Sequence, residues 1–210
     1  HSTRLSLPPG GRAGHGIGPE TQGLPDVDAG IRRGRAATLL MLGLPGSAYL
    51  YQGDELGLPE VTDIPGDARQ DPTWFRTAGE RYGRDGCRVP IPWEAGAAAY
   101  GFSASGETWL PQPPMWAELA RDAQHGIAGS TLEMTRAALR ERRDHQLANG
   151  PLVWRAAPEG VLVFDNGRVT VIANTSAVPV PVDGEVLVAS SPVVDGLLPP
   201  DATAWVIERE

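Results

Sequence analysis

Residues 44–57 read LPGSAYLYQGDELG. The run 48–51 is apolar and aromatic, Pro45 and Gly46 precede it, and Gln52, Gly53, Asp54 and Glu55 follow at once. Short apolar runs between breakers, with polar groups at the carboxyl end, predict a fully buried strand. In parallel α/β architectures the chemistry gathers at that end, where loops converge on a crevice. The irregular region from Leu56 to about Pro114 then reads as an active-site loop hung on this strand, since loops of that length are usually functional.

Upstream, the spacing predicts a helix over about 28–44, capped by Asp26 or Asp28. Ile31, Thr38, Leu39 and Leu42 share one face, and Arg32, Arg33 and Arg35 fall to the polar side. Gly34 costs about 1 kcal/mol against alanine there, so tertiary packing has to hold the helix. Pro45-Gly46 ends it, and helix, turn and buried strand make the αβ half of a βαβ unit.

Downstream, the loop carries DARQDPTWFR (67–76), RYGRDGCRVPIPW (81–93), YGFS (100–103) and TWLPQPPMW (108–116). Trp74, Trp93, Trp109 and Trp116 lie in this span, and the burial preference of aromatics predicts that most of them pack the loop down. Ser130 and Glu133 form a capping box for a second helix running to about Leu147. Leu132, Thr135, Leu139 and Arg142/Arg143 follow its spacing, and Arg136, Arg140 and Glu141 face out.

From Pro151 the pattern changes to short β-type runs at 161–164, 169–174, 179–182, 185–190 and 203–208. Asp165-Asn166-Gly167 is read as the hairpin turn between the first two, and Asp183-Gly184 as another turn. Strands at this spacing predict a small antiparallel sandwich. The chain thus divides into an α/β part, 1–150, and an all-β part, 151–210.

Composition narrows the function. A net charge of −8 and a pI of about 5.0 over 210 residues argue against nucleic acid and anionic membrane as partners. No apolar span suits a transmembrane helix and no signal peptide is visible, so a cytoplasmic location is expected. The single Cys87 excludes an internal disulfide. The first residue is His1, which suggests a processed chain or a fragment. Residues 1–27 are Gly/Pro-rich loop, in which His15 reads as an ordinary loop histidine.

Retaining glycoside hydrolysis needs two carboxyl groups about 5 Å apart across a sugar. Asp54, Glu55, Asp71 and Asp85 are the candidates, but none stands in a context that marks a nucleophile or an acid. Adjacent Asp54-Glu55 fits a turn that hydrogen-bonds its own backbone better. There is no GxSxG elbow, no phosphate loop and no metal-ligand spacing, so no metal or cofactor is expected within the chain. Cys87 reads as a small buried group. The strongest signal is Arg84-Asp85-x-x-Arg88, which puts two guanidinium forks and a carboxylate in one tight turn before Pro90 and Pro92. Such forks bind polar oxygens bidentately, and the same spacing serves equally for a loop-locking salt bridge.

Taken in order, LPGSAYLYQGDELGLPEV, RQDP, GRDGCRVPIPW, YGFS and TWLP resemble the carboxyl-terminal part of an α-glucosidase of the α-amylase family of glycoside hydrolases, in the branch of oligo-1,6-glucosidases and actinobacterial α-glucosidases. The resemblance covers essentially the whole chain. It implies the carboxyl-terminal portion of a TIM barrel, with 48–51 as its last strand and about 130–147 as its last helix, followed by a small β-sandwich from about Pro151. It also implies that Arg88 reaches the sugar in the −1 subsite, on a loop supported by Arg84 and Asp85. The family's catalytic carboxylates sit on earlier strands, the last of them in an Asn-His-Asp motif that this chain lacks. His1-Ser-Thr-Arg4 resembles the residues a few positions beyond it. Asp54-Glu55 departs from the Glu-Glu of relatives, and Cys87 stands where others carry small residues.

The resemblance implies a retaining α-glucosidase acting on small oligosaccharides, for which this chain supplies a substrate-binding loop while the remainder of the barrel supplies the chemistry. Poor solubility of residues 1–210 alone is expected, because the apolar faces of 48–51 and of the 31–44 helix would lie open. Two other readings stand beside this one. The first is a non-catalytic carbohydrate-binding or structural module in 151–210, where Trp205 nevertheless reads as core. The second is a sugar isomerase or sucrose-active transglucosidase of the same family.

Overall fold

A computed structural model describes residues 2–6 and 17–208. His1 and His15 lie outside the described residues, as does most of the Gly/Pro-rich opening. The chain forms two compact units, one of residues 1–31 and 52–125, the other of 32–51 and 126–210. This grouping cuts across the 1–150 and 151–210 division of the sequence.

The second unit is built on a five-stranded antiparallel sheet. Helix α1, Val27–Gly43, carries its later turns into this unit. Asp26 caps its start: the Oδ1 accepts the Ala29 N–H at 2.9 Å. Helix α4, Thr131–Asp144, is capped by the Ser130 hydroxyl, which accepts the Glu133 N–H at 3.2 Å. Between them in sequence lie the short helices α2, Pro72–Arg76, and α3, Arg121–Gln124, both in the first unit. The strands follow: β1 Leu152–Arg155, β2 Val161–Asn166, β3 Val169–Asn174, β4 Val180–Pro181, β5 Glu185–Ala189, β6 Leu197–Leu198 and β7 Ala202–Ile207. The sheet order is β1-β2-β3-β7-β5, and β4 pairs with β6 as a separate ribbon.

One face of the sheet buries Phe164, Val169, Val171, Val188 and Trp205 against Leu39 and Leu42 of α1 and Met134 and Ala138 of α4. Across the other face, Val161, Ile172, Ala204 and Val206 pack with Val180, Val182 and Leu198. The all-β part is antiparallel throughout, with helices over one face of the five-stranded sheet and the small two-stranded sheet β4-β6 over the other. Its central strands are buried on both faces, which explains why β3 and β7 carry apolar residues at consecutive positions instead of alternating. Trp205 is core, as its sequence context suggested: it is fully buried and its Nε1 donates to the Leu39 carbonyl at 3.1 Å. The Trp205 ring is therefore not free for a sugar, whereas Trp154 of β1 is 56% exposed.

Several local expectations change. The β2–β3 loop is Gly167-Arg168, because Asn166 pairs with Val169. Gly167, at φ +63, takes the first position of a two-residue turn where a positive φ matches the strand twist. Arg35 is turned inward and donates to the Ser190 carbonyl at 2.8 Å and the Thr131 hydroxyl at 2.9 Å. Leu139 is exposed, and the buried stripe of α4 runs through Leu132, Met134, Thr135 and Ala138. The apolar face of α1 is not open either, since the sheet and α4 cover it.

The largest departure is 48–51. It forms no strand, and Tyr49 is 84% exposed, with Leu50 and Tyr51 also exposed. A strand inside a closed parallel barrel is paired on both sides, and every strand pair among the described residues is antiparallel and leaves out 48–51.

Candidate functional site

The first unit is held by short turns and buried polar groups rather than by sheet. Asp71 precedes Pro72, a favoured first helical residue, and its Oδ1 accepts the Thr73 N–H at 2.8 Å to cap α2. Twelve residues on, Gly83 at φ +71 leaves space beside the same carboxylate. A Cβ there would stand 2.5 Å from the Asp71 carboxyl. Asp85–Cys87 follows as one turn of 3-10 helix, closed by the Arg88 N–H on the Asp85 carbonyl at 2.8 Å. The Gly86 carbonyl accepts the Val61 N–H at 3.1 Å, fixing the turn from behind.

The three residues singled out by sequence sit together on this turn, in different environments. Asp85 is buried, and its Oδ2 accepts the N–H groups of Gln70 at 2.8 Å and Asp71 at 2.9 Å. Arg84 is exposed, and its N–H donates to Asp71 Oδ2 at 3.1 Å. The Arg88 side chain is 46% exposed, and its Nη1 donates to Asp71 Oδ2 at 2.9 Å. A loop-locking ion pair does form, but with Asp71 rather than within the Arg84–Arg88 turn. The Arg88 carbonyl accepts the Trp109 indole N–H at 3.1 Å, and Gln70 Nε2 donates to the Trp109 carbonyl at 3.3 Å. Arginine 88 is thus held at both its main chain and its side chain.

Burial works to raise the Asp71 pKa, but the Thr73 and Arg84 hydrogen bonds and the Arg88 charge outweigh it and hold the carboxyl below its ordinary value. Asp71 is therefore an anion at neutral pH. Burial pushes the Cys87 thiol up, and the Glu60 charge adds to that, which agrees with a small, inert group. Arg69 is buried with its guanidinium 3.8 Å from the Tyr82 ring centroid and 5.2 Å from that of Trp74, and its Nη2 donates to the Thr62 carbonyl.

The tryptophans do not mostly pack the loop down. Trp116 is fully buried and Trp74 is half-buried, whereas Trp93 and Trp109 are exposed. Trp109 meets Phe102 edge to face, with centroids 5.0 Å apart. Of the candidate acids, Glu55 accepts the Gly53 N–H at 2.8 Å, in the backbone-bonding role its turn context suggested. Asp71 and Asp85 are buried and engaged by main-chain donors, so neither is placed as a nucleophile or an acid. Among the described residues, no group of three or more His, Cys, Asp or Glu could hold a metal ion.

Residues 25–150 match the α-amylase catalytic domain. The chain belongs to the α-amylase family. Within this family it is 34% identical over 143 residues to a probable α-glucosidase of Rhizobium meliloti (strain 1021), covering 68% of this chain and 25% of that one. It is 32% identical over 143 residues to a salivary α-glucosidase of Anopheles gambiae, covering 64% and 23%. The crystal structure of the α-glucosyl transfer enzyme XgtA superposes with a TM-score of 0.69 at 31% identity, over 85% of this chain and 36% of that one. That of the trehalulose synthase MutB from Pseudomonas mesoacidophila MX-45 gives a TM-score of 0.69 at 20% identity, over 83% and 38%, and shows the shared fold alone. The chain spans about a quarter of the length of the curated relatives it matches.

Asp71 as the partner of Arg88 was missed by sequence. The Asp-Pro pair is a local signal only for the α2 cap, which was not read either, and a contact across 17 residues leaves no local signal.

Proposed function

We propose that residues 1–210 are the carboxyl-terminal part of a retaining, exo-acting α-glucosidase that hydrolyses terminal α-glucosidic bonds of small oligosaccharides. Identity of 34% with a probable α-glucosidase supports the class. The observation that carries the site is the anchored Arg88, whose guanidinium is half-exposed and paired with a buried carboxylate. In this reading Arg88 donates to glucose hydroxyls, Arg84 stands beside it on the same turn, and Asp85 holds the base of the loop. The chain lacks the Asn-His-Asp motif, so the nucleophile, the acid and the stabilising carboxylate would come from polypeptide outside residues 1–210.

Residues 1–150 would then supply the last strand, long loop and last helix of a (β/α)8 barrel, with 48–51 taking strand form between its barrel neighbours, and 151–210 the appended β domain. The family match ending at residue 150 supports that division. The working partner is a small oligosaccharide rather than nucleic acid or membrane, and the expected compartment is the cytoplasm. No helix among the described residues is long and apolar enough to cross a membrane.

Two measurements test this. Purified residues 1–210 should not turn over p-nitrophenyl α-glucoside; robust activity would refute the division of labour. In the complete polypeptide, Arg88→Ala should lower kcat/KM for that substrate about 10- to 150-fold, the kinetic equivalent of a charged hydrogen bond. A transfer reaction is the second reading, favoured by 31% identity with an enzyme described as transferring α-glucosyl groups. Product analysis from maltose separates the two: glucose alone means hydrolysis, and new oligosaccharides mean transfer.

A further inference from the structure

Two buried carboxylates brace the Arg88 loop, and they are not equivalent. Asp85 Oδ2 takes the main-chain N–H groups of Gln70 and Asp71, which laces one loop segment to the other. Asp71 returns the lacing through the Arg84 N–H, and the same Oδ2 reaches outward to Arg88 Nη1. We infer that Asp71 is the positioning residue for Arg88, aiming its guanidinium at the sugar without touching the sugar itself. The inference rests on the reading of Arg88 as a sugar-binding residue given above.

The geometry separates this role from simple loop bracing. The loop is already held by main-chain bonds to both carboxylates, by Gly86 on Val61 and by the Trp109 indole on the Arg88 carbonyl. An ion pair to a half-exposed guanidinium adds little to such a frame. It changes the orientation of a long, flexible side chain instead. An arginine fixed at one edge presents its remaining donors in a defined plane, and that pre-organisation favours binding. Asp71 suits the task because it is itself immobile: it is 4% exposed, it caps Thr73, and Gly83 leaves no Cβ in its way.

The test is a double-mutant cycle on kcat/KM in the complete polypeptide. Asp71→Asn keeps the shape and loses the charge. Asp71→Ser keeps a helix cap but is too short to reach Arg88. If Asp71 acts through Arg88, each variant lowers kcat/KM for p-nitrophenyl α-glucoside toward the Arg88→Ala level. Adding Arg88→Ala to either then lowers it no further, to within about twofold. Additive losses overturn the inference, and so does wild-type kcat/KM in Asp71→Ser. Failure of both variants to fold also overturns it, since it would make Asp71 a structural residue. Wild-type activity in Arg88→Ala sinks the sugar-binding reading instead, so the two failures are told apart.

Discussion

The carboxylate of Asp85 accepts the N–H of Asp71 at 2.9 Å, while that of Asp71 accepts the N–H of Arg84, the residue before Asp85, at 3.1 Å. Each acid satisfies a donor on the segment that carries the other. Asp85 is 1% exposed, so water cannot replace it. Asp85→Ala would leave the buried Asp71 N–H unpaired, at about 1–3 kcal/mol, and would remove the partner of the part-buried Gln70 N–H. Urea unfolding should show a loss of roughly 1–3 kcal/mol. A loss below about 1 kcal/mol would mean that the lacing contributes little.

Gly83→Ala should act on Asp71 from the other side. The position is at φ +71, and an added Cβ would meet the Asp71 carboxyl at 2.5 Å. The backbone strain alone costs about 1–2 kcal/mol, and the clash must move the carboxylate away from Arg88. The expected outcome is a lower melting temperature together with a kcat/KM in the complete polypeptide that falls toward that of Arg88→Ala. Wild-type kinetics would show that Arg88 keeps its aim without Asp71.

The pH dependence of stability has two opposing contributions in this unit. The Asp71 pKa is held down, so its contribution is fully present above the ordinary carboxylate range and is lost as pH falls through its folded value. Burial raises the Glu60 pKa against the pull of Arg4, so its ionisation opposes folding, and acid relieves that cost as pH falls toward its ordinary value. Denaturant titrations between pH 7 and pH 3 should therefore diverge. The gap between wild type and Asp71→Asn should shrink with falling pH, and Glu60→Gln should gain on wild type at pH 7 but not in acid. Parallel curves for all three proteins would show that neither acid is linked to folding.

Legibility in the sequence followed the range of the forces involved. The Asp26 and Ser130 caps and the strands at 161–166 and 169–174 are local matters of spacing and capping chemistry, and all were readable to within a residue or two, whereas the short helix opened by Asp71-Pro72 was taken into the irregular loop. Edge strand β1 escaped notice because its residues 152–155 are all exposed and carry no alternation. The inward turn of Arg35 and the pairing of Arg88 with Asp71 depend on partners far along the chain, which residue spacing does not encode. The run 48–51 shows the converse: its pattern is that of a buried strand, but burial and pairing need neighbours that the pattern cannot supply.

Asn166 offers the sharpest contrast between buried and exposed polar contacts. It is fully buried, and its Nδ2 donates to the Gly43 carbonyl at 2.8 Å and the Leu147 carbonyl at 2.9 Å. One amide thus ties the end of α1, the turn after α4 and the β2–β3 hairpin together. Asn166→Ala would strand both carbonyls away from water, and a loss of about 2–4 kcal/mol is expected in denaturant unfolding. The Arg33–Asp201 pair at 3.0 Å spans a similar sequence distance, but it lies at the surface, with the Arg33 side chain 45% exposed. Arg33→Ala should cost no more than about 1 kcal/mol. Equal losses in the two variants would mean that Asn166 is hydrated in solution and that the hairpin is held to α1 by apolar packing alone.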